Sequence, residues 1–579
     1  MKILLKYLKN YKKEAVLAPL FKMLEAIFEL LVPLVVAGIV DDGIKNGDTS
    51  LVIRMSLLLI GLGVIGLLSS VTAQYFSARA ATGASAEIKA SLLDKIQTMS
   101  YTALDKTGTS TLITRMTGDV SQVQTGINLT LRLLLRSPFV VFGAVVVAFT
   151  VDVRSALIFA VAVPILAIVI FAVLLLTIPM YRAVQQKLDK VTGAVRENHT
   201  GLRVVRAFRK EEDEISQFEK SNSTQLAAQR RTAAISSMLN PLTYAIISLA
   251  IVALLYSGAD YVYDGRISQG ELLALHGLMS QILVELVKFA NLIITITKSI
   301  AGAKRIEQVL EAEDGGRDGA SVASERVECK HFIEFDNVSL TYSGAGDKTL
   351  DGISFTVNKG ERIGVIGGTG SGKSSLVNLI AGFYRPSEGR VCVGGYIPAA
   401  SDTPELLSRI AIVPQKAALL AGTVRSNLLV GRADATDEEM LLALRLAQAQ
   451  ELVSDERGGL DAEVLQGGRN LSGGQRQRLT VARALVRDPE ILILDDSASA
   501  LDLATEARLR RAIEELDGVT VFTVSQRASS VMNCDMILVL ENGELVGKGT
   551  HESLLRECDV YREIYYSQFP EGEVTTDEQ

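Results

Sequence analysis

The sequence predicts an all-α membrane domain of six helices with long cytoplasmic helical extensions, followed by an α/β domain. Three observations support this fold class. Six apolar segments of about 20 residues, the length that a helix needs to cross a bilayer core, end by residue 296 of 579. The polar stretches between them keep the apolar spacing of helices. Beyond residue 331, short runs typical of strands alternate with helical patterns.

The distribution of basic residues orients the six segments. Three short connecting loops, 41–50, 152–155 and 263–270, contain one Lys or Arg each, whereas the long stretches 79–128 and 181–238 are richer in both. We therefore predict that the long stretches and both termini are cytoplasmic. The predicted spans are residues 21–40, 57–78, 129–151, 157–180, 239–262 and 272–296.

The N-terminal segment, residues 1–13, interleaves five lysines with leucines and tyrosines. This spacing is typical of an amphipathic helix on the cytoplasmic face of a membrane, and the alternative is a plain cytosolic start to the first span. Because no small-residue cleavage site follows, we do not expect a cleaved signal. Residues 107–110 and 201–209 are the predicted tips of the two long cytoplasmic stretches, where the chain could touch a structure below the membrane.

Charged residues interrupt the first and third spans. Lys22, Glu25 and Glu29 share one face of the first helix, and Arg132 and Arg136 open the third. Such residues either face the interior of a helix bundle or lie beyond the lipid. We expect Lys22 and Arg132 to lie beyond the lipid, because both are near the cytoplasmic ends of their helices.

The sixth span carries Gln281, Glu285 and Lys288 on one face. Charges inside a membrane are costly unless they are paired or hydrated. A Glu285–Lys288 pair that lines a substrate cavity is one interpretation, and a structural pair between helices is the other.

Composition and charge narrow the range of partners. The formal net charge of −7 argues against a nucleic-acid partner, which would favour a basic surface. The four cysteines lack metal-ligand spacing, so we expect free thiols.

The charged segment 311–330 is the predicted linker between a membrane domain, residues 1–310, and a second domain, residues 331–579.

A glycine-rich loop indicates the chemistry of the second domain. It lies between a run typical of a buried strand, residues 362–366, and a helical pattern, and it matches G-x-x-x-x-G-K-S, the P-loop in its expected context. Backbone N–H groups of such a loop surround phosphates, its lysine reaches the β- and γ-phosphates, and its serine binds Mg²⁺. We therefore predict a P-loop NTPase, a broad class of proteins that bind a nucleoside triphosphate with Mg²⁺. The predicted nucleotide-binding residues are Gly367, Gly368, Thr369, Gly370, Ser371, Gly372, Lys373, Ser374 and Ser375.

A second buried strand, residues 491–494, ends in Asp495, the Walker B arrangement in which a carboxylate holds Mg²⁺. Just upstream lies Leu471-Ser-Gly-Gly-Gln475. Tyr342 precedes the P-loop, Gln415 follows it, and Asp502 comes after Walker B. In this order the motifs resemble those of the ABC transporter family, specifically bacterial exporters with a fused membrane domain, and the resemblance covers nearly the whole chain.

The resemblance implies roles for these residues. Tyr342 would stack on adenine, the alternative being a core tyrosine. Gln415 would sense Mg²⁺ and join Ser374 and Asp495 at the metal, and Asp502 would act across a dimer. The two loop tips would be coupling helices in a multi-pass protein of the bacterial plasma membrane. In this family the signature acts in trans, on ATP held by a second subunit, and here it comprises Leu471, Ser472, Gly473, Gly474 and Gln475.

The chain departs from the family pattern at two positions. The family carries Glu after the Walker B aspartate and His in the switch loop, where this chain has Asp496 and Gln526. Aspartate is one methylene shorter, and a misplacement of about 1 Å can cost on the order of a hundredfold in rate. Glutamine cannot become cationic. Because both changes fall in one site, we predict that this site is degenerate.

The intact signature would then serve the opposite site of a dimer. We therefore predict a heterodimer in which a second, non-identical half-transporter supplies the Glu and the His, and a homodimer with two slow sites is the alternative. The expected activity is ATP-driven export, across the lipid bilayer, of an unknown amphipathic substrate such as a drug, lipid or peptide. A siderophore-type importer and an ATP-gated channel or regulator remain alternatives on the same fold.

Overall fold

The computed structural model describes residues 6–312, 329–342, 344–398, 404–497 and 500–569. The chain forms two compact units, of which the first comprises Met1–Lys95 and Ser110–Glu311 and the second Ile96–Thr109 and Ala312–Gln579. Most of the predicted linker, residues 313–328, lies outside the described residues.

The first unit is helical. Within the described residues, six helical segments are long and apolar enough to cross a membrane, and each contains one predicted span. Several continue far beyond the span, as in Val153–Ala207 with 55 residues. The prediction of six apolar helices with long helical extensions is confirmed. The six segments are Lys6–Ile44, Thr49–Thr98, Thr109–Val151, Val153–Ala207, Glu211–Tyr263 and Gln269–Leu310.

The helices up to residue 310 are numbered in chain order. A 3-10 turn, Lys9–Tyr11, precedes the first helix. A π-helical turn, Ile39–Ile44, ends the first apolar segment, and another, Arg115–Asp119, interrupts the third. The ten helices are α1 (Lys12–Gly38), α2 (Thr49–Thr98), α3 (Tyr101–Thr107), α4 (Thr109–Thr114), α5 (Val120–Leu133), α6 (Arg136–Val151), α7 (Val153–Ala207), α8 (Glu211–Ser237), α9 (Leu239–Tyr263) and α10 (Gln269–Leu310).

Small residues let the helices of the first unit approach closely, as is common between membrane helices. One buried cluster takes Ala26 from α1, Ala144 from α6, Ala156 from α7 and Ala250 from α9. At the start of α10, a Cβ added to Gly270 would lie 2.3 Å from the backbone oxygen of Ala37. Glycine is therefore required where α10 crosses α1.

Lys22 is buried within the first unit. It is 5% exposed, and its Nζ lies 2.5 Å from Glu25 Oε2 and 3.0 Å from Ser70 Oγ. Lys22 thus faces the interior of the first unit, where Ser70 of α2 supplies a hydroxyl partner, and its expected position beyond the lipid stays a prediction. Arg132 is only partly buried, but its Nε is enclosed and has no hydrogen-bond partner among the described residues.

The two predicted loop tips have different structures. The first is preceded by the short helix α3, which Ser100 caps by accepting a hydrogen bond from the N–H of Ala103 at 3.2 Å. This helix belongs to the second compact unit, and Gly108, the residue after its end, has φ of +76°. At the second tip, α7 runs to Ala207 and a turn with φ of +51° at Arg209 leads directly into α8.

The second unit is an α/β domain with a mixed six-stranded sheet of order β11-β10-β3-β9-β8-β5. Its strands are parallel apart from β11, and β1 pairs with β2 and β4 in an antiparallel sheet. The strands are β1 (Ile333–Leu340), β2 (Leu350–Val357), β3 (Arg362–Gly367), β4 (Glu388–Val393), β5 (Ile410–Val413), β6 (Gly422–Thr423), β7 (Glu463–Val464), β8 (Ile491–Asp495), β9 (Thr520–Val524), β10 (Met536–Glu541) and β11 (Glu544–Gly549).

Helices flank the six-stranded sheet, and the central strands β3, β8 and β9 are buried almost throughout. Carboxyl ends of parallel strands meet at one edge of a sheet, where ligands usually bind. The loops after β3, β8 and β9 therefore converge. The helices are α11 (Lys373–Ile380), α12 (Pro404–Arg409), α13 (Val424–Leu429), α14 (Asp437–Leu446), α15 (Gly473–Val486), α16 (Leu503–Glu514), α17 (Ala528–Val531), α18 (His551–Glu557) and α19 (Asp559–Gln568).

Two of the four cysteines are not free thiols. Cys329, just before β1, and Cys392, in β4, form a disulfide with a Cα–Cα distance of 6.5 Å. The expectation of free thiols was wrong for this pair because the pairing of β1 with β4 brings together residues 63 positions apart. Cys534 and Cys558 are free, as expected.

Candidate nucleotide-binding site

The P-loop joins β3 to α11, and two of its glycines adopt conformations that other residues disfavour. The φ angle is +82° at Gly370 and +95° at Gly372, in the left-handed region where a Cβ is strained. A Cβ at Gly372 would also lie 2.6 Å from Leu350 Cδ2 and 2.9 Å from the backbone oxygen of Thr349. The glycines thus allow a tight loop that ends at the N-terminus of α11, where the helix dipole favours an anion such as phosphate.

Lys373 lies over this loop. Its Nζ donates hydrogen bonds to the backbone oxygens of Gly367 at 2.9 Å and Gly368 at 2.6 Å. It also lies 3.4 Å from Ser371 Oγ. Burial lowers the pKa of the Lys373 ammonium, although two nearby carboxylates oppose this shift. The loop's own carbonyls therefore hold the amine where it can pair with phosphate oxygens.

The P-loop hydroxyl and the Walker B carboxylate meet in the structure. Ser374 Oγ donates to Asp495 Oδ1 at 3.1 Å. Burial raises the pKa of Asp495 and the charge of Asp496 raises it further, whereas the hydrogen bond from Ser374 lowers it. Adjacent hydroxyl and carboxylate oxygens are the hard ligands that Mg²⁺ prefers. Ser374 and Asp495 therefore fit the metal ion that would accompany ATP.

A cavity of about 240 Å³ lies over the P-loop. It brings together the P-loop, the end of β8, Gln415 and the residues after β9. The lining residues are Thr349, Thr369, Gly370, Ser371, Gly372, Lys373, Ser374, Ser375, Gln415, Asp495, Asp496, Val524 and Gln526.

Asp496 and Gln526 both face this cavity. Asp496 has φ of +47°, a left-handed conformation that Asp tolerates better than most residues. Gln415 Nε2 lies 3.4 Å from Asp496 Oδ2, to which it donates, and the Asp496 N–H donates to Val524 O at 2.9 Å. Thr369 Oγ1 donates to Gln526 Oε1 at 3.5 Å. The two residues that depart from the family pattern thus belong to one site.

Tyr342 contacts the P-loop helix without lining the cavity. Its hydroxyl donates to Ser375 Oγ at 3.0 Å, and its half-buried ring packs against the hydrophobic core of the domain. These contacts are compatible with both the adenine-stacking role and the core-tyrosine alternative, so the stacking role stays a prediction.

The signature and Asp502 lie at two other helix N-termini. Ser472 caps α15, since its Oγ accepts from the N–H of Gln475 at 3.2 Å and its N–H donates to Gln475 Oε1 at 3.0 Å. Asp502 caps α16 by accepting from the N–H of Thr505 at 3.0 Å, and the bonds from Thr505 lower the pKa of Asp502. The predicted nucleotide-site residues that do not line the cavity are Tyr342, Gly367, Gly368, Leu471, Ser472, Gly473, Gly474, Gln475 and Asp502.

In the first unit, Glu285 belongs to a buried charge cluster that joins α1, α6 and α10. Its Oε1 accepts from Arg136 Nη1 at 2.5 Å and from Lys288 Nζ at 2.8 Å, and its Oε2 accepts from Ser137 Oγ at 3.0 Å. Arg136 Nη2 also donates to Glu29 Oε2 at 2.5 Å. The side chains of Arg136 and Glu285 are 5% and 3% exposed.

The third predicted cavity residue, Gln281, donates from Nε2 to the backbone oxygen of Glu29 at 3.3 Å. Its Oε1 is buried without a hydrogen-bond partner among the described residues. Because both oxygens of Glu285 are bound by protein side chains, the contacts favour the structural pair between helices. A role in substrate binding stays a prediction.

Several residues of these sites escaped sequence reasoning. Val524 ends the parallel strand β9, so its position at the edge of the sheet could have identified it, whereas Thr349 carries no motif. The Arg136–Glu285 pair joins residues 149 positions apart. The two opposite charges were visible in the sequence, but their partnership depends on how three helices pack.

Comparison with known proteins assigns both units. Residues 16–286 match the ABC transporter transmembrane region, and residues 350–499 match the ABC transporter family. The chain is 34% identical over 565 residues to an uncharacterized ABC transporter ATP-binding protein, YfiB, of Bacillus subtilis, with 98% of each chain covered. It is 28% identical to an ATP-dependent lipid A-core flippase of Chromobacterium violaceum, covering 98% of this chain and 97% of the flippase.

Among solved structures, a bacterial Atm1-family ABC exporter with ATP bound matches with a TM-score of 0.77 at 21% identity, over 98% of this chain and 99% of that one. The fold and the P-loop site define a membrane transporter with a fused ATPase domain. The chain belongs to the ABC transporter family, with its transmembrane and ATP-binding domains fused, and its fold matches that of the Atm1-family exporter.

Proposed function

We propose that this chain is one subunit of a heterodimeric exporter that couples ATP binding and hydrolysis to the outward transport of an amphipathic small molecule, lipid or peptide. In this proposal its own P-loop site binds MgATP but hydrolyses it poorly. Its signature completes the active site whose P-loop, catalytic glutamate and switch histidine come from a non-identical partner.

The observation that carries the proposal is the position of Asp496 and Gln526 in the cavity that holds Ser374 and Asp495. Hydrolysis needs a carboxylate that reaches the attacking water and a group that stabilises developing charge. Asp496 is one methylene shorter than the usual glutamate, and its Oδ2 accepts from Gln415 at 3.4 Å. Gln526 has no cationic form at any pH. Both hydrolytic functions are weakened in one site while the binding residues remain.

The exposed position of the signature motif, away from this chain's own P-loop cavity, supports a partner subunit. Ser472 and Gly473 are exposed at the N-terminus of the 14-residue helix α15, where N–H groups and the helix dipole favour an anion. They do not line the cavity over this chain's P-loop. At the second loop tip Phe208 is 72% exposed, which suits docking on a partner better than contact with water.

The test measures ATP hydrolysis in lipid nanodiscs by the chain alone and by the chain co-purified with its co-expressed partner. We expect the complex to be at least about a hundredfold faster than the chain alone, because the chain alone offers two shortened carboxylates. Converting Asp496→Glu together with Gln526→His should raise turnover of the chain alone by about the same factor. Asp496→Asn should scarcely change turnover of the complex.

Asp517→Glu is the matched control, since it adds the same methylene at a residue that is exposed and outside the cavity. The turnover of this variant should equal that of the parent chain. Ordinary ATPase activity from the chain alone would refute the heterodimer.

Transport of labelled dyes, lipids and peptides into inside-out vesicles tests export. Uptake into intact cells would instead indicate an importer, and an ATP-dependent ion conductance would indicate a channel.

A further inference from the structure

The buried charge cluster of the first unit is a row of four charges that alternate in sign. Arg136 of α6 donates to Glu29 of α1 and to Glu285 of α10, at 2.5 Å each. Glu285 also accepts from Lys288, further along α10, at 2.8 Å. The two inner members, Arg136 and Glu285, are 5% and 3% exposed. The two ends, Glu29 and Lys288, are 40% and 45% exposed, so the row presents a carboxylate at one end and an ammonium at the other.

Each exposed end keeps hydrogen-bonding capacity that the inner charges have used. Both oxygens of Glu285 accept from protein side chains. Among the described residues, only one oxygen of Glu29 has a donor, and Lys288 Nζ, which carries three N–H groups, donates to Glu285 alone. The neighbouring charge on α1, Glu25, is already paired with Lys22 at 2.5 Å. Glu29 and Lys288 can therefore each bind one more group of opposite charge.

The position of the two ends along their helices indicates what they face. Glu29 lies near the middle of the predicted span 21–40, where a charge turned toward hydrocarbon is costly. Lys288 lies within the predicted span 272–296, and its Nζ is held at Glu285 instead of extending toward the membrane surface. The exposed sides of both residues therefore face a hydrated space and not the lipid.

Two buried atoms beside Glu29 also lack partners. Gln281 lies on the same face of α10 as Lys288, and it donates to the backbone oxygen of Glu29 at 3.3 Å. Gln281 Oε1 and Arg136 Nε are buried without a hydrogen-bond partner among the described residues. Because buried polar atoms are normally hydrogen-bonded, one unpartnered acceptor and one unpartnered donor next to Glu29 indicate that a polar group from outside these residues binds there.

We infer that Glu29 and Lys288 bind a zwitterionic amphiphile, whose ammonium group pairs with Glu29 and whose phosphate or carboxylate pairs with Lys288. Such a ligand continues the alternation of charge at both ends of the row. A ligand with a single charge satisfies one end and leaves the other without a partner. The inference deepens the proposed function by naming a substrate class, and it rests on the amphipathic substrate assigned there. A zwitterionic phospholipid and an apolar peptide with free termini share this chemistry.

The test measures the affinity of fluorescent probes for the chain co-purified with its partner, without nucleotide, in micelles of an uncharged alkyl maltoside. One set comprises tail-labelled lysophosphatidylethanolamine, its N-acetylated anionic form and a cationic alkylamine with the same tail. The other comprises a labelled apolar pentapeptide with free termini, its N-acetylated form and its C-amidated form. In at least one set, fluorescence anisotropy should show the zwitterion binding at least about tenfold tighter than either single-charge probe, because each of those lacks one hydrogen bond to a charged group.

Two variants assign the two charges of the ligand. Glu29→Gln should weaken binding of the zwitterion about tenfold without weakening binding of the anionic probe. Lys288→Gln should weaken the zwitterion by a similar factor without weakening the cationic probe. Both variants keep the buried Arg136–Glu285 pair, so their midpoints of unfolding by SDS should match that of the parent. Glu212→Gln and Lys220→Gln make the same changes at exposed positions of α8 and should bind every probe like the parent.

The outcomes separate this inference from the proposed function. Selectivity for the zwitterion in the lipid set alone would assign a phospholipid, and selectivity in the peptide set alone would assign a peptide. Equal affinity for the three probes of both sets, tightest binding of a single-charge probe, or a preference that Glu29→Gln and Lys288→Gln both retain would overturn the inference.

Should Glu29→Gln fail to fold, the comparison of probes in Lys288→Gln decides alone. A complex that hydrolyses ATP as proposed but binds none of the probes would overturn this inference and leave the proposed function in place. Ordinary ATPase activity from the chain alone, together with selective binding of the zwitterion, would overturn the heterodimer and support the inference.

Discussion

Arg136→Met tests the buried charge cluster of the first unit. Methionine keeps a long apolar side chain in the space of Arg136 but removes the guanidinium that Glu285 accepts from at 2.5 Å. Glu285 then stays 3% exposed with Lys288 and Ser137 as its remaining partners. Glu29 is 40% exposed, so water can replace its lost partner.

Removing one member of a buried ion pair costs about 3–5 kcal/mol, because the remaining charge is left desolvated. Lys288 Nζ stays 2.8 Å from Glu285 and offsets part of this, although its side chain is 45% exposed. We therefore expect the free energy of unfolding to fall by about 2–4 kcal/mol. The double variant Arg136→Met with Glu285→Met should recover most of the loss, since it leaves neither charge buried without a partner.

The assay is unfolding in mixed micelles by titration with SDS, followed by helical circular dichroism. Arg182→Met is the matched control, because Arg182 is exposed on α7, and its effect should stay within about 0.5 kcal/mol. A loss below about 1 kcal/mol in Arg136→Met, or a double variant as unstable as the sum of its singles, would refute the view that the cluster is a coupled structural unit.

Two predictions concern the nucleotide site. Gly372→Ala should weaken ATP binding about thirty- to 150-fold, since the left-handed φ of +95° and the contact with Leu350 Cδ2 at 2.6 Å together cost about 2–3 kcal/mol. Equilibrium binding of a fluorescent ATP analogue measures this, and Gly193→Ala, which meets open space, should bind like the parent. Mg²⁺ binding requires ionised Asp495, whose pKa burial and the Asp496 charge raise, so Mg²⁺-dependent affinity should fall as pH drops through that raised pKa. Asp496→Asn removes the neighbouring charge, lowers the pKa of Asp495 and should move the midpoint of this pH titration to lower pH; a midpoint that stays in place would contradict the coupling.

Much of the nucleotide site could be predicted because its residues are close in sequence. The P-loop is one continuous segment whose glycines follow from backbone sterics, and a carboxylate at the end of a buried strand marks the metal position. Parallel strands then bring Gln415, Asp495 and Gln526 to one edge of the sheet, which is a general property of such sheets. The position of Tyr342 relative to the cavity did not follow, because it depends on how a loop packs against the domain core.

The six apolar helices, the α/β domain and the phosphate-binding loop can be predicted from local patterns, because hydrophobic periodicity and glycine geometry act over short stretches of chain. Which distant polar groups meet depends instead on the folding of the whole chain. It buried Lys22 against Ser70, joined Glu285 to Arg136, bonded Cys329 to Cys392 and placed Tyr384 between Tyr342 and Asp105. Contacts of this kind depend on the packing of elements far apart in sequence, and no local pattern encodes the partner of a single charge or ring.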